Sequence, residues 1–329
     1  RYIRRQRQMC IRDSASSSAH VNVDAHGRNY RQLMQKFLMG AVNFSQGTND
    51  YFMTNFIGTN SDGIKYIAAQ DGTKAYTYAE HKFDEGFGYY GAARDGMDYT
   101  DLEARAKSGR DEYKNGYHDS DADGMIDLRS EYFFGHSQNC AKRDAGSASG
   151  PNPTDFSTEA MEPMLAARQI LSNAANKANP ELTEAENTKM QEHIHHASIA
   201  WEKCIAATAV HYVNDVLADI GEYSSGAPAS VDNFENVAKH WSELKGFALS
   251  LQFSPASPFR DETVTAVDLD DLKKVLSLLG DAPVLADGSQ NGIPASGSAS
   301  DAVYAYAGKL VEAREIFCRL RTGSLTIIL

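Results

Sequence analysis

From Thr183 onward, Met190, Ile194, Ala197, Trp201, Cys204 and Thr208 recur at alternating steps of four and three. That spacing marks one face of a single helix, and the pattern continues to Ile220, where Gly221 can end it. Thr183 and Glu186 stand at capping-box spacing, which sets the start. At 1.5 Å per residue such a helix is about 55 Å long, the length of a bundle spine. Its apolar stripe has to be covered, and other helices are the natural cover.

The rest of the chain supplies them. Tyr30, Leu33, Phe37, Leu38, Ala41 and Phe44 predict a helix over about 26–45, and Tyr76, Phe83, Phe87 and Tyr90 another over 73–93. Short helices fit 101–108 and 128–142. Pro163 suits the first turn of a helix running to about 178. Ser230 can cap a helix striped by Phe234, Val237, Trp241, Leu244, Ala248 and Leu251, with Pro255 just past its end. Further helices fit 268–280 and 300–318, separated by a Gly/Ser/Pro/Asn-rich loop. Runs of period two are nearly absent. The expected fold is therefore all-α: antiparallel helical bundles with an inserted Asp-rich loop. Residues 20–318 read as one all-helical domain of two packed bundles, divided near the polar linker 144–153.

The two ends depart from this pattern. Residues 1–14, RYIRRQRQMCIRDS, hold five Arg, no helical period and no apolar signal core, and they resemble translated adapter sequence. They are set aside as non-native, which leaves a signal peptide and a lipid anchor to be expected in a missing N-terminus. Residues 319–329 read as an irregular tail. The 329-residue chain carries a net charge of −12, which argues against a nucleic-acid partner. No apolar run approaches the ~20 residues of a transmembrane span. Cys10, Cys140, Cys204 and Cys318 are scattered, with no CxxC pair to suggest a zinc knuckle or redox motif.

The run Asp119-Ser-Asp-Ala-Asp-Gly-Met-Ile-Asp127 points to a hard cation. Asp119, Asp121 and Asp123 at alternate positions can turn onto one ion, Gly124 takes the sharp turn, the Met125 carbonyl adds an oxygen, and Asp127 binds directly or through water. The twelfth loop position, where a bidentate Glu belongs, is Ser130, and Glu131 follows one residue later. Calcium is the expected ion. The competing reading is an acidic turn capping a helix that starts near Leu128.

Two helices combine His with carboxylates. Glu80 falls within the apolar stripe of the 73–93 helix, where a carboxylate needs a partner or a cation, and His81 shares a face with Asp84 and Glu85. Glycines 86, 88 and 91 suggest close approach of another backbone. On the 231–251 helix, His240 and Glu243 share a face. Facing helices of this kind can hold a metal ion such as iron or zinc, or a small ligand; a buried network that locks packing is the alternative. His211, Tyr212, Asn214 and Glu202 are candidates to join the His240 network, whereas His193, His195 and His196 read as a solvated helix end. HExxH, GxSxG and P-loop motifs are absent, as is a GxGxxG that opens a helix after a strand.

EHKFDEGFGYYGA (80–92), DSDADGMIDLRSEY (119–132), WEKCIAATAVHYVNDV (201–216) and HWSELKGFALSLQFSP (240–255) together resemble the bacterial DUF4856 family, uncharacterised proteins expected to be exported lipoproteins. That family is similar in turn to the imelysin-like proteins, exported helical double bundles with a GxHxxE motif that are linked to iron uptake and peptidase activity. His240-Trp-Ser-Glu243 matches the HxxE part, with Ala238 in the place of the Gly, and His81 and Glu85 are one residue further apart. The resemblance implies a periplasmic or cell-surface location. The resulting expectation is an exported, calcium-stabilised helical binding protein whose His/carboxylate site takes a metal ion or small ligand. A metal-dependent peptidase-like hydrolase and a purely structural surface lipoprotein are the alternatives.

Overall fold

The computed structural model describes residues 20–54, 74–178, 180–224, 226–261 and 266–322. The segment 1–14 therefore lies outside the described residues, as does the tail beyond Thr322. Among the described residues the chain is helical, with isolated β-bridges and no strand. The helices are α1 (Tyr30–Leu38), α2 (Tyr78–Tyr90), α3 (Asp101–Ala104), α4 (Gly135–Ser147), α5 (Phe156–Ala175), α6 (Glu184–Gly221), α7 (Val231–Ser250), α8 (Leu269–Leu279) and α9 (Ala299–Thr322). No described helix is long and apolar enough to cross a membrane.

Local chemistry explains most boundaries. Thr183 and Glu186 form the expected capping box, with the Thr183 amide donating to Glu186 at 2.7 Å and the Glu186 amide to the Thr183 hydroxyl at 3.2 Å. Thr77 and Glu80 cap α2 in the same way, and Gly91 ends it with φ +89°. Other boundaries differ from the sequence reading. The first helix stops at Leu38 and continues as wider π turns over Met39–Phe44 and Gln46–Thr54. The helix expected from Leu128 begins at Gly135, because Gly116–His118 pairs with Glu131–Phe133: Phe133 N donates to Gly116 O at 2.8 Å and His118 N to Glu131 O at 3.3 Å. Pro163 lies inside α5, not at its start, since Asp155 caps that helix eight residues earlier by accepting from Thr158 N. α9 runs through Arg319 to Thr322, and the Arg319 guanidinium bonds Ala266 O and Asp271.

The chain divides into two compact units, and the division does not fall at 144–153. Among the described residues, one unit comprises 20–38, 206–224, 226–250 and 266–322, the other 39–54, 74–178, 180–205 and 251–261. The 144–153 linker is the turn of a helical hairpin inside the second unit. Buried Asp144 accepts the amides of Phe156 and Ser157 at 2.9 and 2.8 Å, so the end of α4 caps the start of α5.

In the first unit, α7 is central. The end of α6 packs antiparallel to it, with Asp219 beside His240 and Tyr212 stacked on Phe247. α8 meets α7 with its C-terminal turn: Trp241 Nε1 donates to Leu279 O, and Lys245 Nζ to Leu276 O and Gly280 O. α1 instead runs parallel to α7, with Asn29 N on Ser242 Oγ and Lys36 O accepting from Ser250 Oγ. In the second unit the core gathers around Trp201, whose ring meets those of Phe44, Tyr90 and His136 at 5.2, 5.1 and 5.6 Å.

Candidate functional site

The Asp-rich loop closes at its base through the bridge between Tyr117 and Tyr132. At its tip Asp119 accepts the amides of Asp123 and Gly124 at 3.1 and 2.8 Å, and Asp123 accepts that of Met125 at 2.8 Å. Gly124 makes the turn at φ +85°, a conformation that suits glycine. These bonds wind the chain so that Asp119, Asp121 and Asp123 each present an oxygen within 4.8 Å of the others. Among the described residues no other three His, Cys, Asp or Glu ligand atoms gather so closely. Such a set of hard oxygens suits calcium.

The flanking residues divide the remaining work. Asp127 accepts Arg129 N at 3.0 Å, and that amide with the guanidinium holds its carboxyl below the usual range. The Met125 side chain is exposed. Glu131 is buried and spans the loop: Oε1 accepts the hydroxyl and amide of Ser120, both at 2.7 Å, and Oε2 the amide of Asp127 at 2.9 Å. The Ser120 hydroxyl, followed by the Asp127 amide, keeps Glu131 ionised to lower pH than an ordinary glutamate. Sequence spacing offered Glu131 as a late ligand; the fold uses both of its oxygens as a clamp between the two ends of the loop.

The polar residues of α2 find partners inside the second unit. Arg168 on α5 reaches both acids, with Nη1 2.8 Å from Glu80 Oε1 and Nε 2.7 Å from Asp84 Oδ1. Ser172 Oγ adds 2.9 Å to Glu80. Burial raises the Glu80 pKa, but the Thr77 amide and hydroxyl, Ser172 and Arg168 outweigh it and leave the carboxyl below its ordinary value. His81 stacks on Tyr76 and lies 3.5 Å from Glu85, which also pairs with Lys82 at 2.8 Å. Gly86 and Gly91 do mark close approach: a Cβ on Gly86 would stand 2.6 Å from Phe52 and one on Gly91 2.4 Å from Phe134 O, whereas Gly88 faces nothing within 4 Å.

His240 and Glu243, in the first unit, have separate partners despite their shared helix. His240 Nδ1 lies 2.7 Å from Asp219 Oδ2, and buried Glu243 lies 3.4 Å from Lys36 Nζ. Tyr212 lies beside His240, ring centroids 6.1 Å apart, as the sequence suggested, and Asn214 bonds Arg314. Asp219 and Arg168 are among the residues that sequence reasoning missed. Both sit on stretches already read as helical, and nothing in a helical period says which opposing charge will meet them. Glu202 accepts from Ser257 Oγ at 2.5 Å and is wholly buried, which pushes its carboxyl up to about 8. Burial likewise lowers His193 and His195.

The first unit also contains a cavity of about 610 Å³ lined by His26, Tyr223, Phe234, Leu285, Asp287 and Pro294, among others. No curated protein and no solved structure matches the chain. Residues 12–123, which take in α1, α2, α3 and the first three aspartates of the acidic loop, match the family model described as Domain of unknown function (DUF4856).

Proposed function

We propose that this chain is an exported, calcium-stabilised helical binding protein. The observation that carries the calcium reading is the convergence of Asp119, Asp121 and Asp123 within 4.8 Å on the Gly124 turn. Three carboxylates so close repel one another, and a cation between them offsets that repulsion. Calcium supplies that charge and takes oxygen donors in flexible geometry. Asp119, Asp121 and Asp123 are the ligands, the Met125 carbonyl and Asp127 complete the set, and Glu131 holds the two ends of the loop together. The exported location rests on what the sequence resemblance implies, and millimolar-affinity calcium sites suit such a compartment.

Calorimetric titration of the metal-free chain with calcium tests this. One equivalent is expected to bind, and Asp121→Ala with Asp123→Ala is expected to abolish the binding while the helical content stays unchanged. Absence of binding to the parent chain, or undiminished binding to the double variant, overturns it.

A further inference from the structure

α6 carries His211, Asp215 and Asp219 at successive steps of four, and therefore along one face. α7 sets His240 against that face. His240 Nδ1 lies 2.7 Å from Asp219 Oδ2, while Nε2 of the same ring lies 3.9 Å from Asp215 Oδ2. That Asp215 oxygen is also 3.3 Å from His211 Nε2. Two imidazole nitrogens thus flank one carboxylate oxygen, and a second carboxylate grips the far side of one ring. Glu243 takes no part in this cluster, since it is paired with Lys36.

We propose that His211 Nε2, Asp215 and His240 Nε2 bind a divalent transition-metal ion of the zinc class, with Asp219 as the positioning residue. Two imidazoles and one carboxylate suit zinc and its neighbours and are unlike the all-oxygen set that calcium takes. A metal-bound imidazole commonly donates its other N–H to a carboxylate, which fixes the tautomer and turns the ligating nitrogen toward the ion. The Asp219 contact has that form. It is well shielded: the side chains of His240 and Asp219 are 18 % and 12 % exposed. His211 and Asp215, at 42 % and 31 %, face water. The two Nε2 atoms stand wider apart than the oxygens of the acidic loop. The ion draws the outer pair inward to bonds of about 2.0–2.2 Å and leaves its remaining position to water. This proposal is independent of the calcium reading, because it shares no residue with the loop.

The test uses the full chain without a metal-affinity tag and with calcium in excess, titrated with zinc by calorimetry and with cobalt by visible absorption. One equivalent is expected, with cobalt ligand-field bands. Asp219→Asn is expected to weaken binding about 10–100-fold, and Asp219→Glu to restore part of that loss. His211→Ala and His240→Ala are expected to lose more than Asp219→Asn does. Asp215→Asn, which keeps the side-chain shape, serves as the readout if a His variant fails to fold by circular dichroism. His193→Ala with His196→Ala should leave the affinity unchanged. The proposal is overturned if zinc fails to bind the parent chain, if binding persists undiminished in folded His211, His240 or Asp215 variants, or if the His193/His196 variant is the one that loses it.

Discussion

Glu202 illustrates how much a single residue can depend on where the fold puts it. Its side chain is wholly buried, Oε1 accepts from Ser257, and Oε2 has no hydrogen-bond partner. Burial raises its pKa from the ordinary 4.5 to about 8. The folded chain therefore holds a proton that the unfolded chain releases, and stability falls as pH rises between those two values. Urea unfolding across about pH 5 to 9 should show this decline in the parent chain and a flatter profile in Glu202→Gln, with the variant the more stable at the alkaline end. Arg168 gives a second prediction at this scale. Arg168→Ala leaves buried Glu80 without its cation and should cost about 3 kcal/mol. Asp84→Ala, which removes an exposed partner of the same guanidinium, should cost less than about 1 kcal/mol in the same denaturation experiment. The sequence showed that Glu80, within an apolar stripe, needs a partner. It could not show that the partner stands 88 residues away on α5.

At the scale of elements, α2 offers a matched pair of glycines. Gly88→Ala meets nothing within 4 Å and should stabilise the helix by up to about 1 kcal/mol. Gly86→Ala gains the same propensity, but its Cβ would stand 2.6 Å from the buried Phe52 ring and 3.0 Å from Tyr51 Cβ. Overpacking of this kind costs roughly 1–3 kcal/mol, so the net effect should be destabilising. Opposite shifts in the denaturation midpoints of the two variants check the comparison. α8 makes a related point about ends. Its C-terminal carbonyls receive Trp241 and Lys245 from α7 and Tyr306 from α9, so this terminus is capped by its neighbours. The capping box of α6 was legible because it lies within four residues of sequence. The cap on α8 was not, because its donors are contributed from a distance.

For the whole molecule, the proposed calcium ion would act as a ligand of the folded state. At a free concentration about 100 times its dissociation constant it adds roughly 2.7 kcal/mol. For a chain of 329 residues that corresponds to a rise in Tm of roughly 3–5 °C. A chelator should lower the Tm by that amount in the parent chain and leave Asp121→Ala with Asp123→Ala unmoved, as scanning calorimetry would record. The sequence by itself determined that the described chain is helical, where the long helices run, and that three aspartates share one tight turn. Each of these follows from residues that lie close along the chain, through a 3.6-residue period, a cap, or a glycine within a short loop. Tertiary structure alone decided the parallel packing of α1 on α7, the closing of the acidic loop by a paired base instead of flanking helices, and the seating of His240 against Asp219 and Asp215 while Glu243 turned to Lys36. Helical periodicity states that a face must be covered and a charge paired. Which distant group does so depends on packing against residues far away in the chain.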